Sequence, residues 1–356
     1  MEPRAQGPRG RLIQQVARTR TCALVVHKSL HENELQHRQP AWGCATFAEV
    51  DTPTPFTILV ADDEPAMLDT LREILEDSGY RVLTASNGLE ALKVLESCAV
   101  DALLSDISMP HMDGLQLLSI ARERWPSIPR ILLTGNLLDE FIGRFLDEQI
   151  SCVLVKNVPF PVKEILHSLE TLLRPEFSWI DQTFLQPNQR ICRQLYRPDD
   201  INTALDDLAE RLPSHRKKPM RLVLQELLTN AMFYGARDED GAAKENWAHD
   251  FVLPKGQAIE IEWIEDDEKV GVCVRDYGGK LNSETILHWL ERQTRKDEFG
   301  VPIGALDIHG RGLFFSRIFS DRLIVNIHSG KRTEVLSINW RSEPPTGQKP
   351  LLIFQI

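Results

Sequence analysis

The sequence predicts an α/β protein of two domains, a doubly wound parallel sheet followed by a two-layer α/β sandwich. In the first half, five short apolar segments alternate with five helical patterns, which is typical of a parallel sheet with helices on both faces. In the second half, helical patterns are combined with strands that alternate around short turns, which indicates helices packed on an antiparallel sheet. The 356 residues are enough for two domains of ordinary size.

Composition divides the chain into five parts. Residues 1–55 are rich in Arg, Gln and His with little periodicity, so a disordered extension, a transit-like segment and a start codon assigned too far upstream all stay open. The first domain is predicted at 56–174, a linker at 175–190 and the second domain at 191–340. The tail at 341–356 ends in the apolar "PLLIFQI", for which an edge strand and a homodimer contact both stay open.

The composition also disfavours several classes of function. The net charge of −11 disfavours broad nucleic-acid binding, because a phosphate backbone would be repelled. The sequence contains no run of about 20 apolar residues of the kind that spans a membrane. The six cysteines have no metal-binding spacing, which indicates unpaired thiols and no zinc site. We therefore expect a cytoplasmic protein without a membrane segment and without direct contact to nucleic acid.

The elements of the first domain follow one another from Phe56. The predicted strands are "TILVADDE", "YRVLTAS", "DALLSD", "RILLTG" and "CVLVKN". The predicted helices are 65–78, "GLEALKVLES", the helix from "GLQLLSIARERW", 137–148 and 161–173. Ligands of such sheets bind at the carboxyl ends of the strands, so the residues at those ends are the candidates for a site.

Polar side chains stand at the ends of four of these strands. The first strand ends in Asp62 and Asp63, the third in Asp106, the fourth in Thr134 and the fifth in Lys156. Carboxylates crowded at one edge repel each other unless a cation joins them, and oxygen ligands of this kind suit Mg²⁺. Acids can also simply start loops and cap the next helix. Five polar residues at matching strand ends favour a site over this plainer interpretation.

Residues 56–174 resemble the receiver domain of bacterial two-component response regulators. The motifs "ADDE", "SDISMPHMDG", "LLTG" and "LVKN" occur in the order of that family. The resemblance implies that Asp106 accepts a phosphoryl group from an upstream histidine kinase. It also implies that Asp62, Asp63 and Asp106, with the backbone of Ser108, hold Mg²⁺.

The same resemblance implies that Thr134 and Lys156 contact the phosphoryl oxygens. Two positions depart from the receiver pattern. Val153 stands where receivers usually carry an aromatic residue that rotates inward on phosphorylation. Lys156 is followed by "NVPFP" where receivers usually have a proline directly after the lysine. We therefore expect phosphorylation to be retained, while the surface that transmits the signal works differently.

The second domain begins with a strand-like segment, "RICRQLYRP", and a helix at 200–212. "SHRKKP" then precedes the amphipathic helix that contains "QELLTNAMFYG", and "AIEIEWIEDDEKVGVCVRD" is typical of a hairpin. A helix at 283–296, a second helix from "GRGLFFSRIFSD" and strands around "RLIVNIHSG" and "KRTEVLSINW" complete the domain. This mixture predicts the two-layer sandwich.

Three motifs of this domain carry its chemistry. Glu226 and Asn230 are four residues apart and share one helix face. Asp276 ends a strand shortly before two glycines, and "GRGL" from Gly310 opens a helix whose N-terminus favours phosphate. Alone, each has a plain explanation: a solvated helix face, an ordinary turn and a common helix start. The chain lacks the GxxxxGK[ST] motif of a P-loop.

Taken in order, these motifs resemble the ATP-binding domain shared by gyrase, histidine kinases and MutL, known as the GHKL or Bergerat fold. The serine kinase anti-sigma factors are the most similar variety. "ELLTNAMFYGA" resembles their N box, and "RDYGG" and "HGRGLFFSRIFSD" resemble their two glycine boxes. The resemblance implies that Asn230 coordinates Mg²⁺ on the ATP phosphates. It implies that Glu226 acts as the general base for an attacking hydroxyl or water.

The resemblance also implies how the nucleotide is held. Asp276 would accept a hydrogen bond from the adenine amino group, and Gly278 would let the backbone approach the base. Thr333, on a late strand, would support the adenine site. The residues implied to wrap the phosphates are Gly310, Arg311 and Gly312.

Together these features predict a response regulator whose output domain is an ATP-dependent serine or threonine kinase of the anti-sigma type. The expected target is an anti-anti-sigma-type protein, through which a sigma factor would be controlled. One alternative is a module that binds ATP and sequesters a partner without phosphotransfer. Another is a hybrid histidine kinase, although His167 on the last receiver helix lacks a second helix to form the required hairpin. A conventional DNA-binding regulator is disfavoured by the acidic charge.

Overall fold

The computed structural model describes most of the chain from residue 55 onward. The described residues are 55–135, 138–174, 178–212, 214–236, 250–306, 311–342 and 347–356. Residues 56–356 form a single unit. The predicted N-terminal extension lies outside the described residues except for Pro55.

The first half alternates five strands with five helices, as the sequence predicts. The strands are β1 (Thr57–Ala61), β2 (Arg81–Ala85), β3 (Ala102–Asp106), β4 (Arg130–Thr134) and β5 (Cys152–Val155). The helices are α1 (Pro65–Asp77), α2 (Gly88–Ser97), α3 (Gly114–Arg124), α4 (Leu138–Asp147) and α5 (Val162–Leu173).

Local sequence explains where these helices begin. Pro65 occupies the first turn of α1, where its missing N–H costs no hydrogen bond. The Asn87 side chain accepts a hydrogen bond from the Glu90 amide and caps α2. Asp113 and Gln116 form a capping box at the start of α3, directly after the loop that follows β3. These caps fix the loops at the carboxyl ends of the strands.

The second half contains six strands and five further α-helices among the described residues. The strands are β6 (Gln189–Leu195), β7 (Ile259–Glu265), β8 (Lys269–Asp276), β9 (Arg322–His328), β10 (Arg332–Trp340) and β11 (Leu351–Gln355). The helices are α6 (Trp179–Thr183), α7 (Asp200–Ala209), α8 (Ser214–Asn230), α9 (Ser283–Thr294) and α10 (Arg311–Phe319). A π-helical turn, Ala231–Gly235, continues α8, and a 3₁₀ turn spans Ile303–Leu306.

The eleven strands of the described residues belong to one sheet, in the order β2-β1-β3-β4-β5-β11-β9-β10-β8-β7-β6. Strands β1 to β5 pair in parallel. Strands β6 to β10 pair antiparallel with one another. The predicted combination of a doubly wound parallel sheet with a second α/β domain is therefore confirmed.

Strand β11 joins the two halves of this sheet. It runs antiparallel to β5, with Leu351 opposite Val153, and parallel to β9, with Leu352 opposite Ile324. The sequence left an edge strand and a homodimer contact open for this segment. The edge strand is wrong, because β11 lies inside the sheet, and the homodimer contact stays a prediction. Four consecutive residues from Leu351 are buried, which is typical of a strand covered on both faces.

The hydrophobic core runs continuously across this junction. On one face of the sheet, Leu351 and Ile353 belong to the same cluster as Val153 and Leu290. On the other face, a second cluster joins β11 to β5, α5 and α6; it includes Leu154, Ile165, Trp179, Ile324, Leu352 and Phe354. A third cluster lies between α7, α8 and strands β7 and β8.

Two elements differ from the sequence prediction. The predicted linker contains α6, whose Trp179 and Ile180 are buried against the sheet. Helix α8 begins at Ser214, whereas the sequence placed its start after Pro219, because proline disrupts a helix interior. Arg216 stabilises the early turns through contacts to Asp321 and Asn339. Among the described residues, none of the helices is long and apolar enough to cross a membrane.

Candidate functional site

Three charged side chains meet at the carboxyl ends of β1, β3 and β5. Lys156 Nζ lies 2.8 Å from Asp62 Oδ2 and 2.6 Å from Asp106 Oδ1. The Ser108 amide donates a hydrogen bond to Asp106 Oδ2 at 2.5 Å. Thr134 is buried at the end of the neighbouring strand β4. The parallel order of the strands therefore brings these residues to one edge, as the sequence predicts.

The charges in this cluster depend on one another. Burial raises the pKa of Asp106 above its usual value, although hydrogen bonds from Lys156 and from the Ser108 amide act in the opposite direction. Burial acts to lower the pKa of Lys156, but its hydrogen bonds to Asp106 and Asp62 raise that pKa overall. Lys156 therefore keeps a positive charge next to Asp106, where an added phosphoryl group would be anionic.

The predicted magnesium ligands are only partly brought together. Asp62 accepts hydrogen bonds from Lys156 and from the Glu64 amide, while Asp63 is exposed. Within the described part of the chain, no group of three or more His, Cys, Asp and Glu side chains is placed to hold a metal ion. The oxygen donors Asp62, Asp63 and Asp106 nevertheless suit Mg²⁺ chemically, and their role as its ligands remains a prediction.

A second site forms around Asp276 at the end of β8. Burial raises the pKa of Asp276 to about 6, against the lowering effect of backbone hydrogen bonds from Gly278 and Gly279. Thr333 lies opposite Asp276 in the strand register, and its buried hydroxyl also acts to lower the pKa of Asp276. A buried carboxyl beside a buried hydroxyl is suited to the polar edge of a base such as adenine.

Two glycines bring the backbone close to this carboxyl. A Cβ on Gly278 would lie 1.5 Å from the carbonyl oxygen of Gly235, and a Cβ on Gly235 would lie 2.5 Å from Asp276 Cγ. Gly235 ends the π-helical turn that follows Asn230, and such turns often occur at functional sites. Gly235 is not among the residues that the sequence motifs predict for this site. A glycine that closes an otherwise helical pattern was the available signal.

The side chain of Glu226, which belongs to helix α8, contacts the start of helix α10. A Cβ on Gly312 would lie 2.3 Å from Glu226 Oε2, so the carboxylate touches the backbone of the first turn of α10. Helix N-termini attract phosphate through their free amides, so a carboxylate here faces the expected position of the phosphates. Asn230 lies one turn further along α8 and is half-buried. Arg311 is exposed at the helix start, and Gly310 lies outside the described residues.

Replacing Gly278 with alanine tests the contact between Gly278 and Gly235. We expect Gly278→Ala to lower the free energy of unfolding by about 1–3 kcal/mol, because the new methyl group collides with backbone that cannot rotate away. We also expect ATP binding to be lost. Gly143→Ala in α4 is the matched control, since its Cβ would meet no neighbouring atom closer than 3.9 Å. Thermal unfolding and ATP titration measure both effects; unchanged ATP affinity in Gly278→Ala would contradict the site.

The pKa of Asp276 predicts how ATP binding depends on pH. Only the ionised carboxylate accepts a hydrogen bond from an adenine amino group with full strength, and it is protonated below about pH 6. ATP affinity should therefore fall about tenfold between pH 7 and pH 5. The Asp276→Asn variant should bind ATP weakly, and its ATP affinity should not show the tenfold fall between pH 7 and pH 5. Equal pH profiles for the two proteins, measured by titration calorimetry, would contradict the assignment.

Comparison with known protein families matches two separate segments. Residues 58–170 match the response regulator receiver domain. Residues 198–340 match the histidine kinase-like ATPase domain. The first segment contains the cluster of Asp62, Asp106 and Lys156, and the second contains the site around Asp276 and Glu226.

Individual relatives match only part of the chain. Sensor histidine kinase RcsC of Salmonella typhimurium is 37% identical over 112 residues, which are 32% of this chain and 12% of that protein. The alkaline phosphatase synthesis transcriptional regulatory protein PhoP of Bacillus subtilis is 33% identical over 117 residues, 33% of this chain and 48% of PhoP. The signal receiver domain of an HD domain-containing protein from Pseudomonas fluorescens is 31% identical, with a TM-score of 0.33. It covers 35% of this chain and 90% of that domain. The chain thus spans less than half the length of these two curated relatives.

Proposed function

Because the chain joins a response regulator receiver domain to a histidine kinase-like ATPase domain, we propose that it is a phosphorelay regulator with a kinase output. Phosphorylation of Asp106 controls ATP-dependent phosphorylation of a serine or threonine on a target protein. The contact between the Glu226 carboxylate and the start of α10 carries this proposal, because a carboxylate there would be suited to act as a base beside the expected phosphate position.

The input step is phosphoryl transfer from an upstream histidine kinase to Asp106. A carboxylate oxygen of Asp106 attacks the phosphorus, the bond from phosphorus to the histidine nitrogen breaks, and the electron pair stays on that nitrogen. Lys156 already contacts Asp106 and offsets the charge of the arriving group. Mg²⁺, held by Asp62, Asp63 and Asp106, would supply further charge compensation.

The output step is transfer of the γ-phosphoryl group of ATP to a hydroxyl. The Glu226 carboxylate takes the hydroxyl proton while the hydroxyl oxygen attacks the γ-phosphorus, and ADP leaves with the electron pair of the broken bond. Asp276 and the Gly235–Gly278 contact bind the base, and the N-terminus of α10 binds the phosphates. Mg²⁺ held by Asn230 would neutralise phosphate charge.

The proposed target is an anti-anti-sigma-type protein, so that phosphorylation controls a sigma factor through exchange of binding partners. The similarity of the N box and both glycine boxes to the serine kinase anti-sigma factors supports this class of target. A hybrid histidine kinase is disfavoured, because His167 is half-buried, with its ring edge-on to that of Trp179 and the ring centroids 5.2 Å apart. Burial lowers the pKa of His167 to about 4.

Labelled ATP tests the proposed output. The purified full chain is mixed with Mg²⁺, γ-labelled ATP and soluble extract from the source cells, and labelled proteins are treated with acid or alkali. Label that survives acid is phosphoserine or phosphothreonine and supports the proposal. Label that is lost in acid but survives alkali is phosphohistidine and contradicts it. Absence of label, with ATP binding measured separately, would favour a module that sequesters its partner without phosphotransfer.

A further inference from the structure

The segment before β11 is bound by the residue that follows Lys156. Asn157 Nδ2 donates a hydrogen bond to the carbonyl oxygen of Gln348 at 2.9 Å, and the Gln348 amide donates to Asn157 Oδ1 at 3.0 Å. This pair of bonds satisfies both backbone groups of residue 348. A Cβ on Gly347 would lie 2.2 Å from Asn157 Oδ1, so the segment is seated tightly.

The Gln348 side chain makes a second contact to the receiver. Its Oε1 accepts a hydrogen bond from the Leu138 amide at 3.0 Å, at the first residue of α4. Helix α4 follows the loop after Thr134, which is itself part of the phosphorylation site. Gln348 therefore contacts both the loop that carries Lys156 and the helix that follows Thr134.

Both departures from the receiver pattern lie at this contact. Asn157 stands where receivers usually have proline, whose ring offers no side-chain amide to bind Gln348. Val153 stands at the usual aromatic position, and it is fully buried opposite Leu351 of β11. Val153 thus packs against the second domain at the position from which an aromatic ring would rotate in other receivers. The effect of phosphorylation therefore has to reach the second domain through other residues.

The next residue, Lys349, contacts the far end of helix α10. Its ammonium group donates hydrogen bonds to the carbonyl oxygens of Arg317 and Ile318. Cations near a helix C-terminus bind the carbonyls that have no partner within the helix. Arg317 also lies 3.5 Å from Asp139 of α4. The C-terminal end of α10 thus contacts both α4 of the receiver and Lys349 of the tail.

Helix α10 connects this contact to the nucleotide site. Its nine residues form a rod of about 13 Å, and Gly312 at its other end touches Glu226. A small shift of one end of a rigid helix moves the other end. Movement of Lys349 is therefore expected to change the position of Gly312 relative to Glu226.

We propose that residues 347–349, here named the tail clasp, carry the phosphorylation state of Asp106 to the nucleotide site; this inference rests on the proposed function. A phosphoryl group on Asp106 competes with Asp62 for Lys156. The backbone of Asn157 moves with Lys156, and its hydrogen bonds to Gln348 pass the movement to Lys349 and α10. Asn157, Gln348 and Lys349 are positioning residues in this scheme.

The experiment compares ATP affinity with and without a stable phosphoryl mimic on Asp106. The full chain is titrated with ATP in Mg²⁺ alone and in Mg²⁺ with beryllofluoride, and the ratio of the two dissociation constants is the coupling. We expect a coupling of about 5- to 150-fold in the natural chain. Asn157→Ala and Lys349→Met should each reduce this coupling to less than about twofold, because each variant breaks the contact between the two sites. Both variants should keep the basal ATP affinity and the phosphorylation of Asp106 by acetyl phosphate.

Two glutamines of the same segment provide a matched control. Gln348→Ala removes the bond to Leu138 and should reduce the coupling, whereas Gln355→Ala removes bonds to Ser283 within the second domain and should leave it unchanged. If Asn157→Ala does not fold, Asn157→Asp serves instead, because its carboxylate repels the Gln348 carbonyl.

Full coupling in the Asn157 and Lys349 variants would overturn the tail clasp and leave the proposed function standing. If beryllofluoride bound at Asp106 changes neither the ATP affinity nor the transfer rate of the natural chain, both the tail clasp and the proposed function are overturned.

Discussion

Replacing Glu226 with glutamine is expected to lower the rate of phosphoryl transfer from ATP to the target protein by about 10²- to 10⁴-fold. The glutamine side chain has the same size as glutamate, so it can occupy the same position against Gly312. It cannot accept the hydroxyl proton as a carboxylate does. Because Asp276 and the Gly235–Gly278 contact are the proposed binding site of the base, ATP affinity should change by less than about threefold, the size of a lost weak contact. Initial rates with γ-labelled ATP and calorimetric titration measure the two quantities.

Glu210→Gln is the matched control for this substitution. Glu210 is an exposed carboxylate at the end of α7, in the same domain as Glu226. We expect its transfer rate and ATP affinity to equal those of the natural chain. A Glu226→Gln variant that transfers phosphate at the natural rate would remove Glu226 from the role of general base. A variant that loses ATP binding would instead give Glu226 a role in holding the nucleotide.

Replacing Asp106 with asparagine is expected to abolish phosphorylation of the receiver. Acetyl phosphate with Mg²⁺ should label the natural chain with a phosphoryl group that is released by alkali and by hydroxylamine, as an acyl phosphate is. The Asp106→Asn variant should carry no such label, because an amide oxygen is a poor nucleophile. The fold should persist, since Lys156 keeps its partner Asp62 at 2.8 Å.

Asp77→Asn is the control for this second substitution. Asp77 is an exposed acid at the end of α1 and lies outside the cluster of Asp62, Asp106 and Lys156. Its label should equal that of the natural chain. Persistent alkali-labile label in Asp106→Asn, mapped by mass spectrometry to another acid, would contradict Asp106 as the phosphoacceptor.

The cluster of Asp62, Asp106 and Lys156 was predictable because parallel strands place their carboxyl ends at one edge. Asp62, Asp106, Thr134 and Lys156 each follow an apolar segment, and the alternation with helices fixes the parallel order. The pairing of Lys156 with both carboxylates depends on side-chain geometry, which the sequence does not encode locally. The same limit applies to the contact of Glu226 with Gly312, which joins residues far apart in the chain.

The junction between the domains was not predictable from local patterns. The "PLLIFQI" segment has the apolar character of a strand, but its choice of β5 and β9 as neighbours depends on contacts across the whole chain. Asn157 looked like an irregularity in the receiver pattern. Only the hydrogen bonds to Gln348 show why an amide is suited to this position. Helix α6 was missed because its five residues are too few for a clear helical period.

The proposed control of the second domain by the first is measured most directly as the rate of phosphate transfer to the target with and without phosphorylation of Asp106. The full chain is treated with acetyl phosphate and Mg²⁺, the acyl phosphate is quantified, and the initial rate with γ-labelled ATP is compared with that of untreated chain. We predict a change of at least about fivefold in the natural chain and none in Asp106→Asn. Equal rates for chain with phosphorylated and unphosphorylated Asp106 would contradict control of the second domain by the first.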